Sequence, residues 1–130
     1  MRAMIVDDSL LLRSMVERAV RAAHPAFNEF VHATDGMDAI QVLRSELRAK
    51  QKLDLIVTDT NMPKMSGLEF LERIQKEKLC VGTEIIMITT ENSPTHLARA
   101  KAAGSKGNIS KPFTPEMVKA LLGPLFQGRR

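Results

Sequence analysis

The 130-residue sequence has a single cysteine, Cys80, no tryptophan, no tyrosine and only five phenylalanines. One cysteine cannot close an internal disulfide, so stability must come from a packed core, which a chain of this length can bury. A lone cysteine also fits a reducing compartment, and the cytoplasm is the expected location. No apolar run approaches the ~18 residues that cross a bilayer, and the first residues lack the apolar stretch of a signal peptide. No membrane role is expected. The scarcity of aromatic side chains removes the stacking platforms on which single-stranded nucleic acid is bound. Repeats, low-complexity segments and composition shifts are also missing, so residues 1–130 read as one domain with no output module.

Hydrophobic residues make up 44% and charged residues 26%, a globular profile. The formal net charge of +4 hides an asymmetry. Residues 1–98 carry 12 Lys/Arg against 14 Asp/Glu, whereas residues 99–130 carry seven (Arg99, Lys101, Lys106, Lys111, Lys119, Arg129 and Arg130) against Glu116 alone. Such a basic quarter suits an acidic protein surface, or is simply a solvated helical face with a basic tail.

Two apolar patterns alternate along the chain. Nearly continuous runs at Ala3–Val6, Leu55–Val57 and Ile85–Ile88, with weaker ones at Phe30-Val31 and around Ile109, suit strands buried on both faces. Between them, apolar residues recur at three and four: Leu11, Leu12, Met15, Val16, Ala19, Val20 and Ala23; Ile40, Leu43 and Leu47; Leu68, Leu71 and Ile74; Leu97, Ala100 and Ala103. A last stripe, Val118, Leu121 and Leu122, is expected to stop where Gly123-Pro124 interrupts it. The longest connection, Arg48–Lys52, reads as a frayed, solvated helix end. The order is β-α five times over. Right-handed crossovers then place helices on both faces of a five-stranded parallel sheet, an α/β doubly wound domain.

In such sheets ligands bind beyond the carboxyl ends of the strands. The first strand runs into Asp7-Asp8, the third into Asp59, the fourth into Thr89 and the fifth into Lys111-Pro112. Each has an ordinary explanation. Asp8 or Ser9 can cap the following helix, Asp59 can open the turn through Asn61, Pro63 and Ser66-Gly67, Thr89 is common at strand ends, and a lysine before proline is usually solvated. Together, however, they place three carboxylates, a hydroxyl and an ammonium on one rim. Carboxylates so close repel, so either one holds a proton or a cation sits among them; oxygen ligands favour Mg²⁺. A carboxylate there can attack a phosphoryl group, with Lys111 and Thr89 the available cation and hydroxyl. His24, His32 and His96 lack metal-ligand spacing and read as solvated or locally bonded. Cys80 reads as a small hydrophobe, and the eight methionines as filler apart from Met62 and Met65 beside the rim.

Met4-Ile5-Val6-Asp7-Asp8-Ser9, Thr58–Gly67, Met87–Glu91 and Ser110-Lys111-Pro112-Phe113 resemble, in order and placement, the four signature blocks of bacterial response-regulator receiver domains, over about residues 4–126. The pattern is similar to that of stand-alone chemotaxis regulators of the CheY type. The resemblance implies a flavodoxin-like sheet of order 2-1-3-4-5 with five helices. It also implies that Asp59 is the phosphoacceptor and that Asp7 and Asp8 form an acidic pocket. Mg²⁺ would be held by Asp8, Asp59 and the backbone carbonyl of Asn61, with Asp7 part of the same metal set. Thr89 would be the switch hydroxyl, Lys111 the site lysine, before what is usually a cis bond to Pro112, and Asn61 with Glu91 the pair that tunes self-dephosphorylation. Asn108 departs from the pattern, standing where relatives carry an aromatic rotamer switch. Thr60 departs too, but at a position without a role in the chemistry.

The expected function is thus phosphorylation-controlled binding. A sensor histidine kinase phosphorylates Asp59, and the Pro94–Leu122 face of a monomer binds a downstream target protein, in chemotaxis or flagellar motor control. The alternative is a phosphorelay that passes phosphate from Asp59 to a histidine phosphotransfer protein. Turnover of an external substrate is not expected: aspartate-nucleophile phosphatases want a second Asp where Asn61 stands, and Asp7-Asp8 would repel a flavin phosphate. Nucleic acid is not an expected partner either, since no reading element remains once the helices cover the sheet.

Overall fold

The computed structural model describes residues 1–90 and 93–128. The elements follow one another as β1 (Arg2–Val6), α1 (Leu10–Ala23), β2 (Glu29–Ala33), α2 (Gly36–Arg48), β3 (Leu55–Asp59), α3 (Gly67–Lys76), β4 (Glu84–Thr89), α4 (Pro94–Ala102), β5 (Asn108–Ser110) and α5 (Pro115–Leu125). All strands are parallel, in one sheet of order β2-β1-β3-β4-β5. The β-α alternation and sheet order therefore match the expectation.

Side chains alternate between two cores. Met4 and Val6 of β1 join Ile40 and Leu43 of α2, Phe70, Leu71 and Ile74 of α3 and Ala100 of α4. Ala3 and Ile5 join Val16 and Val20 of α1 with Val118, Leu122 and Phe126 at the α5 end. Both sets are buried, which is why the strands read as unbroken apolar runs.

Two expectations about helix ends are corrected. The segment after α2 is not frayed: the Lys50 N–H donates to the Leu47 carbonyl (3.1 Å) and the Gln51 N–H to that of Glu46 (2.9 Å), with Lys50 at φ 56°. That is a closed left-handed cap, which satisfies carbonyls that fraying would leave to water. Nor does Gly123-Pro124 stop α5, which runs to Leu125 with Pro124 inside it. Proline removes one bond in the last turn, but the Phe126 N–H still donates to the Leu122 carbonyl (3.0 Å), and burial of Leu122 and Phe126 holds the turn in place.

Candidate functional site: the carboxyl rim of the sheet

The rim is assembled by four strand ends held in register. Val6 pairs with Thr58, Asp59 with Ile88 and Thr89 with Ser110, so Asp7, Asp59, Thr89 and Lys111 emerge side by side. Oxygens of Asp7, Asp8 and Asp59 all lie within 4.8 Å of one another. Lys111 completes the group, its Nζ 3.0 Å from Asp59 Oδ1 and 3.8 Å from Asp7 Oδ2.

Asp7 is held at three points. Its N–H donates to the Ala33 carbonyl (3.1 Å), its Oδ1 accepts from the Ser9 N–H (2.9 Å), and its carbonyl accepts from Arg13 Nη1 (2.6 Å). Burial pushes its carboxyl above the usual carboxylate range, and the nearby Asp59 charge adds to the rise. The Ser9 amide and Lys111 oppose it. The ambiguity over capping resolves in favour of Ser9, whose Oγ accepts from the Leu12 N–H (3.2 Å). Asp8 has no part in the cap and stays exposed on the rim.

Asp59 is buried, and its Oδ1 accepts from both the Thr60 N–H (2.8 Å) and Lys111 Nζ (3.0 Å). Its Oδ2 has no partner among the described residues. Behind it, Ser66 caps α3 in a reciprocal box with Glu69, and the Gly67 N–H donates to the Thr60 carbonyl (2.8 Å). A Cβ on Gly67 would lie 2.9 Å from the Asp59 carbonyl carbon and closer still to its oxygen, so α3 seats against Asp59 only because residue 67 has no side chain. Among the turn formers 61–67 this role was indistinguishable from that of an ordinary turn glycine.

Thr89 is fully buried at the end of β4, and its carbonyl accepts from the Lys111 N–H (3.0 Å). The Lys111-Pro112 bond is cis. Asn61 is exposed in the loop that leaves Asp59, while Met62 and Met65 pack partly buried on the α2/α3 core. Glu91 lies outside the described residues. Asn108 opens β5 half-buried, and its Oδ1 is buried without a partner among the described residues.

The charges of the basic quarter have different surroundings. Arg99 is spent on a two-pronged contact with Glu72 (2.8 and 2.9 Å), and Lys111 belongs to the rim. Arg129 and Arg130 are outside the described residues. Lys101, Lys106 and Lys119 remain exposed on α4, in the connection from α4 to β5 and on α5. Among the described residues, no helix is long and apolar enough to cross a membrane.

Three carboxylates gathered within 4.8 Å, one of them disfavoured as an anion by burial, fit a hard divalent cation such as Mg²⁺. Comparison with known proteins agrees. Residues 3–122 match the response regulator receiver domain. The chain is 34% identical to the chemotaxis protein CheY-3 of Vibrio cholerae, over 98% of this chain and 92% of that one. It is 32% identical to a chemotaxis protein CheY homolog of Campylobacter jejuni, over 94% and 89%. The solved structure of CheY4 from Vibrio cholerae superposes with a TM-score of 0.77 at 35% identity, covering 95% of this chain and 96% of that one. Motifs, sheet order and rim thus agree with these matches: the chain belongs to the response-regulator receiver domain family.

Proposed function

We propose that Asp59 accepts a phosphoryl group from a sensor histidine kinase in a two-component pathway, and that the phosphorylated chain binds a downstream target in chemotaxis. The observation that carries this reading is the pairing of buried Asp59 with Lys111 at 3.0 Å beside Asp7 and Asp8. An Asp59 oxygen attacks the phosphorus of a phosphohistidine, the P–N bond breaks, and the imidazole leaves with the bonding pair and takes up a proton from solvent. Water later releases inorganic phosphate and restores the carboxylate, so the chain modifies itself rather than turning over an external substrate. Lys111 offsets charge on the phosphoryl oxygens, and the Thr89 hydroxyl is the donor at the end of the neighbouring strand. Asp8, Asp59 and the Asn61 carbonyl would hold Mg²⁺, with Asp7 beside them. When bound, the ion neutralises both the carboxylates and the incoming oxygens.

Beside the rim, Leu12, Met15, Pro112 and Phe113 line a largely apolar groove next to Lys111, and Leu10 and Leu11 are exposed on the same helix as Leu12, which supports delivery by a protein donor. The target surface is the Pro94–Leu122 face, where Lys101, Lys106 and Lys119 suit an acidic partner. The names of the curated relatives support chemotaxis as the setting.

The test is intact-mass spectrometry after incubation with Mg²⁺ and a small phosphodonor. Wild type should gain one acid-stable, hydroxylamine-labile phosphate and Asp59→Asn none. Equal labelling of that variant would overturn the assignment.

A further inference from the structure

Arg13 is one of the few buried charged residues, yet it makes no ion pair among the described residues. A buried guanidinium without a carboxylate is costly, so its neutral contacts need a reason. Its Nη1 donates to the Asp7 carbonyl (2.6 Å) and its Nε to His32 Nδ1 (3.2 Å). His32 Nε2 stands 2.7 Å from Glu17 Oε1, and Glu17 Oε2 accepts from Arg21 Nε (3.2 Å). The contacts assign one pattern: His32 is neutral, with its proton on Nε2 given to Glu17 and its Nδ1 lone pair free for Arg13.

The Asp7 carbonyl belongs to the peptide plane that joins Asp7 to Asp8. Gripping that oxygen fixes the plane from which the Asp8 side chain departs. Asp8 itself is exposed, so its direction depends on that plane and on its contact with the Asp7 carboxyl.

We propose that Arg13 is a positioning residue for the acidic pocket, holding the Asp7–Asp8 peptide in its metal-binding pose, and that His32 with Glu17 holds Arg13 in turn. This rests on the reading of the pocket as an Mg²⁺ site. Simple electrostatics predicts the opposite effect of removing Arg13: losing a cation beside three carboxylates should tighten Mg²⁺ binding. Positioning predicts that binding weakens, by about tenfold, as when partners of metal ligands are removed elsewhere.

The relay also implies a pH response. The charged groups facing His32 come from α1: Arg13, Glu17 and, behind Glu17, Arg21. Its register partner on β1 is the apolar Ile5, and α2 packs on the other face of β2. Glu17 is held below the usual carboxylate range, chiefly by its bond to His32, so it stays an anion. Protonating His32 turns its Nδ1 from acceptor to donor against Arg13 Nε–H, which releases Arg13.

The experiment titrates Mg²⁺ into wild type, Arg13→Gln, His32→Gln and His32→Asn while backbone amide signals are followed by NMR. His32→Gln can still donate to Glu17 but offers no acceptor at the Nδ1 position. His32→Asn keeps an acceptor there and cannot titrate. Expected are an approximately tenfold loss of Mg²⁺ affinity in Arg13→Gln, a smaller loss in His32→Gln, and near wild-type affinity in His32→Asn at pH 7.5. In the metal-free proteins, the Asp8 and Ser9 amide signals should move in the first two variants and stay in the third. On acidification, those signals should move together with the His32 ring signals in wild type and should not move in this way in His32→Asn. Unchanged or tighter Mg²⁺ binding by Arg13→Gln, or unmoved Asp8 and Ser9 signals, would overturn the proposal. Should Arg13→Gln fail to fold, His32→Gln decides by the same criteria. Absence of Mg²⁺ binding in wild type would refute the metal site, and the metal-free amide signals would still decide whether Arg13 holds the turn.

Discussion

The two edges of the sheet treat charge in opposite ways. At the N-terminal edge, Arg2 reaches Glu29 (3.0 Å) and Glu46 (2.6 Å), and its N–H donates to Asp54 Oδ2 (2.9 Å). The Asp54 backbone ties Arg2 to Glu84 across β3 (2.8 and 3.0 Å), and the terminal ammonium donates to the Ala26 carbonyl (2.6 Å). At the carboxyl edge, three carboxylates gather within 4.8 Å and Lys111 reaches two of them, Asp7 and Asp59, while Asp7 is held above its ordinary range by burial and by Asp59. Paired charges at a strand end contribute a little stability, whereas clustered like charges subtract from it. The contrast separates an edge built to hold the sheet together from one where stability is given up for chemistry.

The sharpest way to break the carboxyl edge leaves its charges alone. Gly67→Ala places a methyl group against the Asp59 backbone, which cannot yield without moving α3 or β3. We expect a loss of about 3 kcal/mol in denaturant unfolding, at the upper end for overpacking, and a matching fall in Asp59 phosphorylation. A loss below about 1 kcal/mol would mean that the seat of α3 relaxes freely and does not position Asp59.

What was legible in the sequence tracks this division. Asp7-Asp8, Asp59, Thr89 and Lys111 stood out because each ends an apolar run, and five repeats of strand and helix pattern leave few topologies in which those ends do not meet. Less visible were residues whose role depends on a partner distant in sequence. Gly67 looked like one turn former among several. Arg13 carries no motif of its own, although its spacing of three and seven from Val16 and Val20 places it on the buried stripe of α1. That spacing was the signal that could have found it. Helix ends depart from expectation for a related reason: local preference places a stop at Pro124 and fraying after Arg48, but packing of Phe126 and a closed cap at Lys50 override it.

The charge contrast itself can be tested in pairs. Arg2→Ala removes two ion pairs, with Arg2 and Glu46 both largely shielded, and should cost about 1–2 kcal/mol. Asp7→Asn should do the reverse in metal-free protein at pH 7, raising Tm by a few degrees. The sign follows from linkage. With its folded value raised, Asp7 contributes most stability when protonated, below the ordinary carboxylate range, and that contribution is lost as pH rises through the folded value. The gain from Asp7→Asn should therefore shrink as pH falls toward about 4. Added Mg²⁺ should stabilise wild type more than Asp7→Asn and so narrow the gap. Calorimetry across pH, with and without Mg²⁺, reads all three effects. A destabilised Asp7→Asn without metal would mean that the carboxylate cluster is no burden to the fold.

The N-terminal edge is not optimised everywhere, and the smallest expected effect comes from there. Helices α2, α3 and α4 end in the same closed cap, with a left-handed residue just past the helix: Lys50 (φ 56°), Lys78 (φ 55°) and Gly104 (φ 104°). In each, that residue's N–H and the next return to carbonyls of the last turn, as when the Leu79 N–H donates to Ile74 (2.9 Å) and that of Ser105 to Ala100 (3.0 Å). Glycine adopts this backbone freely, while a Cβ crowds the adjacent carbonyl, at a cost of about 1–2 kcal/mol. Part of the gain from replacing lysine is offset because glycine is also freer in the unfolded chain. Lys50→Gly and Lys78→Gly should therefore each stabilise the fold by about 1 kcal/mol or less, additively, since the sites share no partner. Neither change touches the carboxyl rim, so Mg²⁺ affinity and Asp59 labelling should stay at wild-type values. Any loss of stability in either variant would show that the lysine side chain, and not only its backbone, holds the N-terminal edge.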